Sequence, residues 1–319
     1  RLAYLHDIAF FFQYLVNETD LTQAETTDKI KLSELDNVRS VDVNMFIDYC
    51  RKYKVDTGKA VYIYENANTS LARKRSSLSV MFKQLYRDEL LSKNITDGFD
   101  PIRVQKPGER EIKALQDDEV MIMLDAVSTG TGLTDKEKDY WEKTKKRDKA
   151  ILILFLTYGL RLSELQQLNL SSFNFKRGEF MIYRKRGKES IMPLNKSAKA
   201  VIHDYIDNER SESKVQNEAD HDALFLSLQG KRMTERQIRE LVKKYTAIAL
   251  NTGRKGGYSP HKLRATAATS LIGRGNSIFD VAALLDHEQV TTTQLYARQK
   301  VNVKRDLVKG MEWEEERKE

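Results

Sequence analysis

Residues 158–165 read Tyr-Gly-Leu-Arg-Leu-Ser-Glu-Leu, and this stretch joins two predicted helices over very few residues. The apolar run 150–160 predicts a buried helix that ends at Gly159, and residues 163–165 predict the start of the next helix. Arg161 therefore stands at a junction held by packed elements on both sides. Because a guanidinium stays charged at any accessible pH and can grip two oxygens of one phosphate, Arg161 is a candidate phosphate ligand. A purely structural role for this arginine is an equal alternative.

A second stretch, residues 259–264, reads Ser-Pro-His-Lys-Leu-Arg. Serine suits a helix N-cap and proline suits the first helical position, so His261 and Arg264 fall three residues apart on one helix face. A histidine and an arginine directed together from a helix N-terminus favour a phosphate ligand, since the helix end adds its own positive field. The alternative is a surface histidine beside an arginine in a salt bridge.

A third stretch, residues 284–296, reads Leu-Leu-Asp-His-Glu-Gln-Val-Thr-Thr-Thr-Gln-Leu-Tyr. Thr291 and Gln294 fit a capping box, which predicts that Tyr296 lies near the start of a short helix. Taken alone, this tyrosine fits a core position as well as a functional one.

Between the first two stretches the apolar period changes from 3.6 residues to about two. Residues 180–183 and 190–194 predict two strands joined by the basic turn 184–188, Arg-Lys-Arg-Gly-Lys, and a short strand is expected near 172–175. Helical periods dominate elsewhere. The expected fold class is therefore mainly α with a small antiparallel β-sheet (α+β).

The length of 319 residues favours two domains. Residues 1–100 predict helices only, residues 101–111 carry the proline, glycine and charge of a linker, and residues 112–300 form a second domain before the tail 301–319. A helix that starts after Asn68-Thr69-Ser70 carries a basic set that is either a solvated face or a surface for DNA phosphates. That set is Arg73, Lys74, Arg75 and Lys83.

With 40% hydrophobic and 32% charged residues, the composition is that of a protein that can fold around a core and present a polar surface. No apolar run is long enough for a membrane span. The net charge of +7 modestly favours a polyanionic partner. The single cysteine, Cys50, excludes an internal disulfide and a cysteine-based zinc site, is expected in the core, and fits a reducing cytoplasm. We find no glycine-rich phosphate loop and no carboxylate arrangement for two metals, so no metal or other cofactor is expected.

Taken together, these stretches resemble the tyrosine recombinases, the group of phage and transposon integrases and Xer chromosome-dimer resolvases. The family pattern has an arginine in Gly-Leu-Arg-x-Ser-Glu-Leu, a lysine in a hairpin turn, His-x-x-Arg, a later histidine, and a tyrosine nine residues beyond it. The matching positions here are Arg161, Lys185, His261, Arg264, His287 and Tyr296. Two positions depart from the pattern: Ala265 stands where the family usually has histidine, and Asp286 where it usually has glycine.

The resemblance implies a site-specific recombinase that cleaves and rejoins DNA through a 3′-phosphotyrosyl link to Tyr296 and passes through a Holliday junction. Arg161 and Arg264 would neutralise the phosphate oxygens, and His261 and His287 would supply hydrogen bonds, one of them accepting the tyrosyl proton. Lys185 would protonate the departing 5′ oxygen, with Lys188 as the competing assignment. The reaction would need neither metal nor ATP, in a mobile-element integrase or an Xer-like resolvase.

The resemblance also implies a layout and partners. Residues 1–100 would be a core DNA-binding domain, residues 112–300 the catalytic domain, and 301–319 a tail that packs on a neighbouring protomer or on its own domain. The partners would be double-stranded DNA recombination sites and three further copies in a homotetramer, in the bacterial cytoplasm with the nucleoid. Further DNA contacts are expected from the basic turn, at Arg184, Arg186 and Lys188.

Three other functions compete with this hypothesis. A type IB topoisomerase uses similar chemistry and would relax any plasmid. An inactive DNA-binding relative would form no covalent adduct. A metal-dependent nuclease would lose its activity in EDTA.

Overall fold

The computed structural model describes residues 2–105, 112–286 and 293 of the chain. It divides into two compact units, Arg1–Glu109 and Arg110–Glu319, each with its own hydrophobic core. The division falls inside the predicted linker 101–111. No helix among the described residues is long and apolar enough to cross a membrane.

The first unit packs its helices around a core rich in phenylalanine. Phe11, Phe46, Leu78 and Phe82 are fully or almost fully buried there, as is Cys50. The described helices are α1 Leu2–Glu18, α2 Leu32–Asp36, α3 Ser40–Arg51 and α4 Asn68–Arg87, with short 3-10 turns at Thr27–Lys29 and Thr96–Gly98. The expected core position of Cys50 is therefore correct.

The prediction that residues 1–100 contain helices only is wrong. Strands β1 Lys52–Asp56 and β2 Val61–Glu65 form an antiparallel hairpin in which Lys52 pairs with Glu65. The hairpin turn includes Gly58, whose φ of 72° is the left-handed conformation that glycine adopts at little cost. Both strands are largely solvent-exposed, so they lack the alternation of apolar and polar residues that identifies a half-buried strand. The β-branched and aromatic residues 61–64 were the available signal.

The second unit is built around α7, residues Lys145–Tyr158, which packs against α5, α9 and α11. Its residues Ile151, Leu154 and Phe155 are fully buried. The helices are α5 Asp117–Thr129, α6 Asp135–Trp141, α7 Lys145–Tyr158, α8 Leu162–Gln166, α9 Lys196–Tyr205, α10 Glu235–Ala249, α11 Pro260–Gly273 and α12 Ile278–Leu285.

A three-stranded antiparallel sheet interrupts this helical unit. Its strands β3 Phe173–Asn174, β4 Glu179–Tyr183 and β5 Glu189–Pro193 lie in the order β3-β4-β5. Phe180 faces Met192 across the ladder, and both are buried. The basic turn between β4 and β5 contains a 3-10 segment, Lys185–Gly187. The predicted strand, basic turn and strand are present, and the mainly α fold class with a small antiparallel sheet is confirmed.

Candidate active site

The junction after α7 brings two chain segments close together. Gly159 adopts φ 56°, and a Cβ on this residue would lie 2.5 Å from the Leu285 side chain at the end of α12. Such a contact is too short for any side chain, and the positive φ adds a second reason for glycine. Gly159 thus allows α7 to end directly against α12.

Arg161 follows this turn and is oriented by a buried acid. The Glu164 carboxylate, 2% exposed, accepts one hydrogen bond from the Arg161 backbone N–H at 2.8 Å and another from its Nη1 at 2.6 Å. The arginine side chain nevertheless keeps 33% of its surface exposed. A charge-assisted pair with a fixed carboxylate limits the rotamers of the guanidinium.

Arg264 comes from the first turns of α11, and it is buried. Its Nη1 donates to the Gly159 carbonyl oxygen at 2.6 Å, and its Nη2 donates to the Leu285 carbonyl oxygen. Ser259 is the N-cap and Pro260 the first helical residue, as the sequence predicts. Arg264 therefore ties the end of α7 to the end of α12.

Guanidinium groups from three separate elements donate to consecutive carbonyl oxygens at the C-terminal end of α12. The pairs are Arg184 Nη2 to Leu284 O at 2.9 Å, Arg264 Nη2 to Leu285 O, and Arg161 Nη2 to Asp286 O at 3.0 Å. The last carbonyls of a helix lack intrahelical partners and form the negative end of its dipole. Cations are therefore stabilised here, and the three arginines position the residue that precedes His287.

Asp286 adds a carboxylate to this cluster of cations. Its Oδ1 lies 3.3 Å from Lys188 Nζ, and its Oδ2 lies 3.6 Å from Arg161 Nη1 and 3.9 Å from Arg184 Nη1. Partial burial raises the pKa of Asp286, but the Lys188 hydrogen bond and the charges of Arg184, Lys188 and Arg161 outweigh it. The net effect holds this pKa below its usual value of 3.8, so the group is ionised at neutral pH.

His261 lies one helical turn before Arg264, with its side chain exposed. The surrounding protein removes water from part of the ring, and this desolvation disfavours the charged imidazolium. The positive charges of Lys262 and Arg264 add to the effect. Together they lower the pKa of His261 below 6.5. The imidazole is therefore neutral at neutral pH and can accept a proton.

The comparisons with known proteins agree with this geometry. Residues 113–302, more than half of the chain, match the model of the phage integrase family. This chain belongs to the phage integrase family. Tyrosine recombinase XerC of Natranaerobius thermophilus is 32% identical over 283 residues, which are 87% of this chain and 84% of that protein. XerC of Caldanaerobacter subterraneus is 32% identical over 301 residues, 92% of this chain and 76% of that protein.

Solved structures show the same fold. XerH bound to its difH substrate has a TM-score of 0.64 at 18% identity, covering 98% of this chain and 79% of that chain. A λ integrase tetramer bound to a Holliday junction has a TM-score of 0.56 at 14% identity, covering 92% and 76%. The family match and the XerC relatives confirm the resemblance to tyrosine recombinases seen in the sequence.

In this integrase-family chain, the lysine assignment involves two neighbours on one turn. Lys188 contacts Asp286, as described above. Lys185 lies exposed on the 3-10 segment of the same turn. Both remain candidates for the proton donor, and the side chain of Arg186 lies outside the described part of the structure.

Two predicted catalytic residues, His287 and Tyr296, also lie outside the described residues, as does the tail 301–319. Asp286 directly precedes His287, and Thr293, which is fully buried, lies three residues before Tyr296. The assignments of both residues stay predictions.

The basic residues of α4 do not form the uniform solvated face that was one expectation. Lys74 is 8% exposed and its Nζ donates to Asp7 Oδ1 at 3.1 Å, while Arg73 forms a second ion pair with Asp7. Arg75 donates to the Phe99 carbonyl oxygen at 3.0 Å, and Lys83 is exposed. A buried carboxylate requires a counter-charge, which explains why Lys74 points inward. The expectation of a DNA-facing position is wrong for Lys74.

The same correction applies to Arg184, which the sequence assigned to DNA contact. Its side chain is buried and holds the end of α12. Sequence reasoning also missed Glu164 as a partner of Arg161. The signal was present, because an acid three residues after an arginine at a helix start lies within reach of it.

Metal ligation has no support within the described ranges. Neither residues 2–105 nor residues 112–286 contain a group of three or more histidine, cysteine, aspartate or glutamate side chains that could hold an ion. We therefore assign no metal-holding role to any described side chain.

Proposed function

We propose that this chain is a site-specific DNA recombinase that cleaves and rejoins DNA through a 3′-phosphotyrosyl intermediate on Tyr296. The observation that carries the proposal is the placement of Arg161 and Arg264. Their guanidinium groups come from distant parts of the sequence and donate to consecutive carbonyl oxygens at the end of α12. Membership of the phage integrase family supports the same activity.

The chemistry follows from the charges of this site. The Tyr296 oxygen attacks the scissile phosphorus, and because a tyrosine hydroxyl has an ordinary pKa near 10, it needs help to lose its proton. Either His261, which is neutral at this pH, or His287 accepts that proton. Arg161 and Arg264 stabilise the negative charge that grows on the non-bridging oxygens.

Bond cleavage releases the 5′ oxygen, which takes a proton from Lys185 or Lys188 and becomes a free hydroxyl. The phosphodiester is thereby exchanged for a phosphotyrosyl ester of similar energy. Rejoining reverses the steps, as a 5′ hydroxyl attacks the phosphotyrosyl bond and returns the proton. No nucleotide or metal enters any of these steps, since each proton and charge has an acceptor or donor among these side chains.

The partners in this proposal are double-stranded recombination sites and further copies of the chain. Relatives support both, since one solved neighbour is a recombinase bound to its DNA substrate and another is a tetramer on a Holliday junction. We infer a homotetramer on DNA, with the tail 301–319 exchanged between protomers, in the bacterial cytoplasm with the nucleoid. The biological role is integration and excision of a mobile element, or Xer-like dimer resolution.

The proposed function is tested with a DNA site selected from a random duplex library by the full chain. On a nicked suicide version of that site, the wild-type protein should form a covalent complex that survives denaturation in detergent. Tyr296→Phe should bind the site with the same affinity and form no covalent complex.

An adduct in the Phe variant would show that another residue is the nucleophile. Rapid relaxation of a plasmid that lacks the selected site would instead favour a topoisomerase. Activity that disappears in EDTA would favour a metal-dependent nuclease.

A further inference from the structure

The starting observation is a carboxylate placed beside Arg161, which the proposed function assigns to phosphate, and beside Lys188, one of its two candidates for the proton donor. Asp286 contacts Arg161 and Lys188 and lies 3.9 Å from Arg184. These cations come from three elements: the junction before α8, the end of β4, and the turn that follows it. One acid thus neutralises the part of the site where a phosphodiester would need positive charge.

The backbone does not demand an acid at this position. Asp286 ends α12 in the left-handed region, at φ 52° and ψ 52°. Glycine takes this conformation most easily, and asparagine and aspartate are the side chains that tolerate it best. Geometry alone would therefore accept Gly or Asn, and the negative charge requires a separate explanation.

The negative charge of Asp286 matters because its neighbour Arg184 is a buried cation. The side chain of Arg184 is only 4% exposed, and its Nε has no hydrogen-bond partner among the residues that the structure describes. A buried guanidinium is costly without a counter-charge nearby. Asp286 itself keeps 28% of its side-chain surface exposed, and its partners Arg161 and Lys188 keep 33% and 68%, so an incoming anion can reach these two cations.

We propose that the Asp286 carboxylate is an internal substitute for the scissile phosphate, which balances the site's cations in the DNA-free protein and which the phosphodiester displaces on binding. The inference rests on the proposed function, because that function places the scissile phosphate at Arg161 and its leaving oxygen at Lys185 or Lys188. Two anions cannot share the same guanidinium and ammonium groups at contact distance without strong repulsion. The carboxylate therefore opposes DNA binding, because the phosphodiester has to displace it. In the DNA-free protein the same carboxylate keeps the cations of the site paired and ordered.

The test uses variants that remove the charge but tolerate the backbone. Asp286→Asn and Asp286→Gly are made in the Tyr296→Phe background, so that binding is measured without cleavage. Asp280→Asn is the matched control, because Asp280 is an exposed residue of the same helix and the change in net charge is identical. The probe is the duplex selected by the full chain, titrated at several salt concentrations.

Both Asp286 variants should bind this duplex on the order of tenfold more tightly at low salt, as expected when a competing close charge is removed. Their affinity should also fall more steeply with salt, by about one unit of slope, because an extra counterion is released on binding. Asp280→Asn should show neither change. Equal or weaker binding by both Asp286 variants than by the control would overturn the proposal.

A second measurement needs no DNA. In chloride buffer Asp286→Asn should unfold at a lower temperature than Asp280→Asn, and inorganic phosphate at equal ionic strength should restore more of its stability than it adds to the control. Identical responses of the two variants to phosphate would also contradict the proposal. Neither measurement requires cleavage. A failure of this inference can therefore be told apart from a failure of the proposed function, in which the wild-type protein would form no covalent complex.

Discussion

Two aspartates in this molecule each neutralise a cluster of cations, and the two clusters differ in access. In the first unit Asp7 is almost completely buried and accepts hydrogen bonds from Lys74, Arg73 and Ser77. In the second unit Asp286 is partly open to solvent, as is Arg161 beside it. A closed cluster can only hold the fold together, whereas an open one can exchange its internal anion for a phosphate. Positive charge in the sequence does not distinguish the two cases.

The largest difference between the clusters should appear in the chemistry. Arg161→Ala is expected to lower the rate of covalent complex formation by roughly 10²–10³-fold, the usual loss when one charge-stabilising donor is removed from a transition state. The measurement is single-turnover cleavage of the suicide substrate. Arg239→Ala removes an exposed arginine paired with Glu235 on α10 and should leave this rate unchanged. Similar losses in both variants would mean that Arg161 acts only through overall charge.

The next largest difference should appear in stability. Asp7→Ala leaves the buried Lys74 ammonium without its carboxylate and is expected to cost about 3–5 kcal/mol of unfolding free energy. Asp286→Asn removes a partly exposed partner and should cost about 1 kcal/mol or less at moderate salt. Urea unfolding of the full chain measures both. Equal costs would remove the distinction between a closed and an open cluster.

A change of pH is expected to have a smaller effect on the cleavage rate. The pKa of His261 is lowered below 6.5, so raising the pH through this value converts imidazolium to neutral imidazole. If His261 accepts the tyrosyl proton, the cleavage rate should rise with pH through an inflection below 6.5 and then level off. His261→Asn should abolish the inflection. An inflection that survives in this variant would assign the proton acceptor to His287 instead.

The smallest effect on DNA binding is expected from a thiol reagent directed at Cys50, which lies in the core of the first unit beside the closed cluster. Burial raises the pKa of the Cys50 thiol to about 12, so almost no thiolate exists at neutral pH. A thiol reagent should label Cys50 only after unfolding, with no change in DNA binding under native conditions. Rapid labelling of the native protein would show that this core opens readily.

The sequence predicted those parts of the molecule whose signals are local. Ser259 and Pro260 marked the start of α11, and the period of two residues marked β4 and β5 around their basic turn. Gly159 marked the end of α7, because a left-handed turn at a helix end favours glycine.

Other features depended on contacts between distant residues and could not be predicted in this way. Lys74 turns inward because of Asp7, which lies 67 positions away, and Arg184 is buried by the end of α12, 100 positions away. Whether a cation faces solvent or an internal acid is a tertiary property, so a basic face on one helix did not reveal it. The exposed hairpin β1–β2 lacked the burial pattern that identifies a strand.

The central claim is that the cations of this site serve a tyrosine nucleophile. Mass spectrometry of the covalent complex, after digestion of protein and DNA, tests it most directly. The account predicts a single modified peptide in which the phenolic oxygen of Tyr296 carries the 3′ phosphate of the cleaved strand. A nucleotide attached to any other residue, or joined through its 5′ end, would contradict it.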